Sequence, residues 1–217
     1  MQNPKPFSGI FQYMQKNLFL YIISLLFLCI GIVLGIYAVK YMGESEKHNL
    51  IDYILQYTNN INSVQVSKKQ VFLQALKNNI PFLIIIWFLG LSMIGIPIIL
   101  ILDGIKGFTM GFTASFMINC LGSKGILVNL LTVFPQNIIY IPCIVIISVA
   151  AMEFSLNLLK NNSLNNLKPS NNLMKIMPYS TVFLIILCFM TIGFILEGYL
   201  TSSILKLIVM ETGCVFA

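Results

Sequence analysis

The 217-residue chain has little charge and no arginine. Only 9% of its residues are charged, about a third of the ~25% usual for a soluble domain, and all thirteen basic residues are lysines. Hydrophobic residues make up 58% of the chain, and the mean hydropathy is +0.89. A soluble fold of this size cannot bury that much apolar surface, whereas a lipid bilayer can accept it. These values exclude a soluble enzyme, a disordered protein and a disulfide-stabilised secreted domain, and they predict an integral membrane protein.

Side chains that support catalysis or metal binding are also scarce. His48 is the single histidine, and the five cysteines form no C-x-x-C pair, so the sequence contains no zinc or thioredoxin-like motif. A serine at Ser92 follows Gly90-Leu91, as in intramembrane serine proteases, but no predicted span supplies a histidine base. Lysines are not clustered with exposed aromatics, which excludes nucleic-acid binding. We therefore expect no enzyme activity and no cofactor.

Uncharged apolar stretches predict an all-α integral membrane protein, a polytopic bundle of about five transmembrane helices. The chain is expected to form one membrane domain over residues 1–217, with lysines flanking the spans. The predicted segments are a first span at 18–39, a polar loop at 40–79, a second span at 80–102, a third at 104–121, a broken segment with the fourth span at 125–159, and a fifth span at 179–200. The first span is too long for the core of a cleavable signal peptide, so we expect it to be retained.

Small residues define a packing face on the third span. Gly104, Gly107, Gly111 and Ser115 fall on one narrow side of a helix with 3.6 residues per turn. Because a smooth face of this kind lets another backbone approach closely, we predict that it packs against a second helix in the membrane.

A polar elbow interrupts the apolar stretch 125–159. The elbow residues are Pro135, Gln136, Asn137 and Pro142. Lipid cannot satisfy an irregular backbone or free amides, so the elbow is expected to be buried in protein or to face water. One interpretation is a re-entrant half-membrane hairpin over 126–134 followed by a full span. The alternative is a short interfacial loop followed by a single span.

Two acidic residues, Glu153 and Glu197, lie within or beside apolar stretches. Acids inside a membrane are candidates for functional groups, here proton or ion coupling, and placement at the lipid interface is the alternative. Asp103 and Lys106 are interpreted differently, as charges that mark the interface between the second and third spans.

The polar loop 40–79 has apolar residues at helical spacing, which predicts two short amphipathic helices. These helices are expected to lie on the membrane surface or to contact a partner. The candidate contacts are Leu50, Tyr53, Ile54, Tyr57, Val71 and Phe72. The acid-free segments at 1–17 and 160–178 favour a cytoplasmic N-terminus and an outward C-terminus.

Three ordered motifs make the chain resemble a known family. They are K-G-x-x-x-G-F beginning at Lys106, F-P-Q-N beginning at Phe134, and I-P at Ile141. Over essentially its whole length the chain resembles the stage II sporulation protein M family. The wider superfamily usually has Pro-His-Gly followed by a Glu at the elbow, whereas this chain has Gln136 and Asn137 with Tyr140 in the place of the Glu, as in the sporulation branch.

The resemblance implies a scaffold in the mother-cell septal membrane. Family members resemble one another in recruiting two peptidoglycan-remodelling enzymes, the stage II sporulation proteins D and P, whose activity at the septum allows engulfment of the forespore. The expected partners are these enzymes and the lipid bilayer, and a homo-oligomer is left open. The alternative hypothesis is a small-solute permease or channel subunit, because discontinuous helices often place backbone dipoles at a substrate site.

Overall fold

The computed structural model of the chain describes residues 15–52, 68–92, 94–163 and 176–195, and every regular element in these ranges is an α-helix. The helices are α1 (Leu18–Lys40), α2 (44–52), α3 (Lys68–Gly90), α4 (95–121), α5 (123–163) and α6 (Ile176–Ile195). By length and composition four segments can cross a bilayer, namely Leu18–Lys40, Gly95–Asn119, Phe134–Lys160 and Ile176–Ile195, and Leu76–Gly90 is a shorter apolar helix. The predicted all-α polytopic membrane fold is confirmed.

The second predicted span, 80–102, is divided by a turn. α3 ends at Gly90 and α4 begins at Gly95, and in the turn the Ser92 hydroxyl oxygen accepts the Ile94 N–H at 3.3 Å. Pro97 explains the division, because proline donates no backbone N–H and its ring clashes with the carbonyl four residues earlier in a continuous helix. The consequence is a correction to the sequence interpretation: Asp103 and Lys106 do not mark an interface but lie well inside α4.

α4 and α5 form an antiparallel pair joined at Gly122. The Gly122 backbone has φ 57° and ψ −133°, which glycine adopts far more readily than other residues. Past this turn, the Asn129 amide donates to the Ala114 carbonyl at 3.1 Å, so α5 returns alongside α4. Pro135 and Pro142 both lie inside helical α5. The polar elbow is therefore helical, and the turn lies before the segment 125–159, at Gly122.

α5 is the central helix of the bundle. Its membrane-spanning window is 61% buried, against 22% for α1 and 28% for both α4 and α6, which therefore turn most of their surface to lipid. α6 packs antiparallel along α5, because Tyr179 stacks on Phe154 at 4.5 Å between ring centroids and Phe194 lies 5.6 Å from Tyr140.

The two ends of the bundle can be assigned from these contacts. At one end Lys16, just before α1, forms an ion pair with Glu153 of α5 at 3.4 Å, and the Ser155 hydroxyl donates to the Ser92 carbonyl at 2.7 Å. The turn between α3 and α4 therefore lies at the same end as the start of α1. The C-terminal end of α1 and the α4–α5 turn lie at the other.

Candidate functional site: a buried polar layer in the membrane

Asp103 is a carboxylate held entirely inside the bundle. Its side chain is 0% exposed, and each of its oxygens accepts one hydroxyl hydrogen bond. Ser24 of α1 donates to Oδ2 at 2.6 Å, and Ser148 of α5 donates to Oδ1 at 2.6 Å. Both serines are also fully buried. The Asp103 carboxylate therefore connects three helices from a point where neither water nor lipid reaches it.

The partners of Asp103 are hydroxyls rather than cations. Among the described residues the only ion pair is Lys16–Glu153, so no described ammonium lies within 4.0 Å of the Asp103 oxygens. A buried carboxylate without hydrogen-bond donors costs several kcal/mol or more, and each hydroxyl that donates to it reduces that cost. Ser24 and Ser148 are therefore the groups that make burial of this acid tolerable.

Lys106 connects the same turn of α4 to α3. Its ammonium donates to the Asn79 side-chain oxygen at 2.8 Å and lies 5.5 Å from the centroid of the Phe82 ring, a cation–π contact. Lys106 is about 16 Å along the helix axis from Gly95, close to the middle of its span. We call the set Ser24, Asn79, Asp103, Lys106 and Ser148 the polar layer. Through it one turn of α4 contacts α1, α3 and α5.

The polar layer lies beside a seam where the α1 and α4 backbones touch. A Cβ on Gly31 would overlap the Gly104 carbonyl oxygen, and one on Gly107 would overlap the Leu28 carbonyl oxygen. Gly35 against Phe108 and Gly111 against Ile32 repeat this pattern one turn further on. We call these contacts the glycine seam. Since the contacts advance together along both chains, α1 and α4 run parallel.

The structure places the four residues of the predicted packing face at different points. Gly104, Gly107 and Gly111 face α1 in the glycine seam. Ser115 lies beyond it, where its hydroxyl oxygen is 3.5 Å from the Asn119 amide of the same helix.

The predicted acids and the elbow lie outside the polar layer. Glu153 has a side chain that is 15% exposed and pairs with Lys16 near the end of the bundle, while Glu197 lies outside the described residues. Gln136 has a buried side-chain oxygen with no partner in the described part of the chain. Asn137 is half-buried and lines a groove between α1, α4 and α5. The structure therefore does not bring these residues to one site.

The candidate partner contacts of the polar loop are only partly covered. Leu50 is half-buried in α2. Val71 and Phe72 belong to α3, but the description does not extend to their side chains, and Tyr53, Ile54 and Tyr57 fall outside the described residues altogether.

Sequence reasoning missed Ser24, Asp103 and Ser148. A signal for Asp103 was present, because it precedes Gly107 by four residues and so lies on the same side of α4 as the glycines. Because the glycines on this side of α4 are expected to contact another helix, a residue on the same side is expected to be buried in the bundle as well. Asp103 was instead interpreted, together with Lys106, as a charge that marks the membrane interface.

The geometry of the polar layer suits helix association better than passage of a solute. In the part of the chain that the structure describes, one groove opens between α1, α4 and α5 and another between α3 and α6, and no residue of the polar layer lines either of these. The described residues hold no group of three or more His, Cys, Asp or Glu side chains that could bind a metal ion. The hydrogen-bonding capacity of the Asp103 carboxylate is directed at neighbouring helices.

Comparison with known proteins agrees with the motifs. The family model described as stage II sporulation protein M matches residues 24–202, which include α1 from Ser24 onward, the polar layer, the glycine seam and α6. No curated protein and no solved structure matches the chain. The family match and the apolar helices support a sporulation-related, multi-pass membrane protein. Since the match covers well over half of the chain, the protein belongs to the stage II sporulation protein M family.

Proposed function

We propose that this chain is a non-catalytic membrane scaffold that holds peptidoglycan-remodelling enzymes, of the kind of stage II sporulation proteins D and P, at the sporulation septum during engulfment. Family membership supports a role in sporulation. A scaffold of this kind needs a rigid bundle inside the membrane and a polar surface outside it that partners can contact. The proposed contact surface is the part of the polar loop 40–79 that lies between the end of α1 and the start of α3, because residues from Lys68 onward are helical and Asn79 belongs to the polar layer.

The observation that best supports a scaffold is that the buried Asp103 carboxylate binds neighbouring helices of the bundle. Acids within membrane spans often mark ion or proton pathways, which would favour the permease alternative. Asp103, however, is 0% exposed and both of its oxygens are occupied by serines of other helices. A carboxylate bound in this way stabilises one arrangement of helices, as a scaffold requires.

A pull-down from sporulating cells tests the proposal. The tagged full-length chain would be extracted in mild detergent, and the co-purified material assayed for cleavage of peptidoglycan. We expect wall-cleaving activity to co-purify, and we expect it to be lost when residues 44–55 are replaced by a Gly/Ser segment. That replacement leaves α1 and α3 intact.

A matched control uses the opposite end of the bundle. Replacing residues 164–175, which follow α5, by a Gly/Ser segment of the same length should leave the co-purified activity unchanged, because α5 ends and α6 begins at the end of the bundle opposite to the end of α1. Recovery of the intact chain without any wall-cleaving activity would overturn the scaffold. Solute flux through liposomes that contain the purified chain would then support the permease.

A further inference from the structure

Asn137 is an amide on the surface of the membrane-spanning part of α5, and no described residue pairs with it. It lies within the span Phe134–Lys160, is half-buried, and lines the groove between α1, α4 and α5, which we call the amide groove. Its side chain makes no hydrogen bond with another described residue. Asn129, the other amide in this groove, already donates to the Ala114 carbonyl. Leaving an amide unpaired away from water costs about 1–3 kcal/mol, so Asn137 calls for a hydrogen-bonding occupant.

A ridge of large apolar side chains borders the amide groove. The groove has a volume of about 350 Å³, and the small side chain of Ala114 is among its lining residues. The ridge consists of large apolar residues of α5 that are 55–58% exposed, namely Ile126, Leu130, Phe134 and Ile138. Three of these four residues, Ile126, Leu130 and Phe134, also line the groove, so the ridge forms one of its walls.

We infer that the amide groove is a self-association site, in which a second copy of the chain packs α5 against α5. A two-fold interface uses the same patch on both subunits, so the second copy supplies an identical ridge and an identical amide. An asparagine side chain has both donors and an acceptor, and two Asn137 amides satisfy each other across the interface. Amide pairs of this kind promote helix association in membranes.

Other occupants fit less well. A lipid tail fills an apolar groove but offers no hydrogen-bonding group. The groove residues Ile32 and Ile36 lie about 6–12 Å along α1 from Lys40, so the groove lies deeper in the membrane than the end of α1, where a polar lipid headgroup would be. A helix of a different protein would have to bring its own polar side chain. The second copy brings one by necessity. This inference is independent of the proposed function, because a monomer or a dimer can serve equally as a scaffold.

Photo-crosslinking in membranes tests the site directly. A benzoylphenylalanine would replace Phe134, which is 58% exposed on the ridge, or Phe189, which is 59% exposed on α6 and lies outside the groove. We expect irradiation at position 134 to give an adduct of twice the chain's mass and irradiation at position 189 to give none. Equal yields at both positions, lipid adducts alone at 134, or an adduct with a different protein would overturn the inference.

A second measurement uses Asn137 itself. The dissociation constant of the full-length chain, measured by single-molecule photobleaching in lipid vesicles, should rise about five- to thirty-fold for Asn137→Leu, which corresponds to ~1–2 kcal/mol for interhelical hydrogen bonds. Asn137→Gln should retain most of the association. The control is Asn119→Leu, because the exposed Asn119 amide donates to the Ser115 carbonyl of its own helix at 2.9 Å. Equal effects of the two leucine variants would contradict the pairing.

Discussion

At the scale of single residues, Asp103 shows how a membrane protein can use a charge that lipid would reject. The carboxylate is matched by two hydroxyl donors from helices distant in sequence, Ser24 and Ser148. Serine is small and can both donate and accept, so it fits between closely packed helices without leaving its own hydroxyl unpaired. The three side chains therefore form one unit, in which each depends on the others.

Removing either serine hydroxyl should destabilise the bundle. We expect Ser24→Ala and Ser148→Ala each to lower the free energy of unfolding by about 1–2 kcal/mol, because the buried carboxylate loses one of its two donors. Denaturant titration of the purified chain in detergent measures this. Thr113→Val is the control, since the exposed Thr113 hydroxyl donates to Thr109 of its own helix. A loss no larger than that of the control would contradict the role assigned to the serines.

At the scale of secondary-structure elements, α1 and α4 are joined by backbone contact rather than by large side chains. The residues of α1 that are buried, Ser24, Leu28, Gly31, Gly35 and Val39, recur every three or four positions and form one stripe. Such a stripe lets two helices approach until dispersion contacts form between their backbones, which is a main source of helix association in lipid.

Two glycines of the same helix should respond differently to a methyl group. We expect Gly107→Ala to lower stability by about 1–3 kcal/mol, because its Cβ would overlap the Leu28 carbonyl and force α1 and α4 apart. Gly104→Ala should be neutral or slightly stabilising, since the nearest atom to its Cβ is the Phe27 carbonyl oxygen at 3.7 Å. The midpoint of thermal unfolding in detergent distinguishes the two variants. Equal midpoints for the two alanine variants would contradict the role assigned to the glycine seam. A larger side chain at a third position, Gly111→Leu, should lower assembly or abundance of the protein.

The turn between α4 and α5 depends on the backbone freedom of Gly122. We expect Gly122→Ala to cost about 1–3 kcal/mol through strain alone, because its φ of 57° and ψ of −133° disfavour a side chain, while no atom lies within 4 Å of its Cβ position. Gly43→Ala is the control, as its Cβ would lie 3.9 Å from the Ser45 hydroxyl oxygen and its φ is ordinary. Unfolding by denaturant compares them, and a harmless Gly122→Ala would place the turn elsewhere.

At the scale of the whole molecule, the α3–α4 turn determines which charges enter the membrane. Because this turn lies at residues 91–94, next to Ser155 of α5, the segment 103–106 is carried into the bundle. If the turn lay at 103–106, as the charges suggest, Asp103 and Lys106 would be in water. The polar layer therefore exists only because the turn between α3 and α4 lies at residues 91–94.

Cysteine labelling of intact membranes distinguishes these two topologies. In a variant without the native cysteines, Ser92→Cys should react with a membrane-impermeant maleimide added at the end of the bundle where α1 begins. Ile105→Cys should react only after detergent is added, because Ile105 is 52% exposed towards the lipid and its thiol would have no water with which to ionise. Rapid labelling of Ile105→Cys without detergent would instead support a turn at residues 103–106.

The sequence alone determined the all-α membrane class, the family and the small-residue face of α4. Low charge and long apolar stretches show directly that a segment prefers lipid to water, and this preference depends only on the residues of the segment itself. Glycine spacing likewise reports one face of one helix. These features needed no knowledge of where any other part of the chain lies.

Only the tertiary structure decided which polar residues meet. The partners of Asp103 lie 79 and 45 positions away in sequence, and the seam joins α1 to a helix that starts at Gly95. Lipid tails are as apolar as a protein interior, so hydropathy does not distinguish the side of a span that faces lipid from the side that faces another helix. Packing makes that distinction, and it is packing that turns a charge expected at the interface into the centre of a buried polar layer.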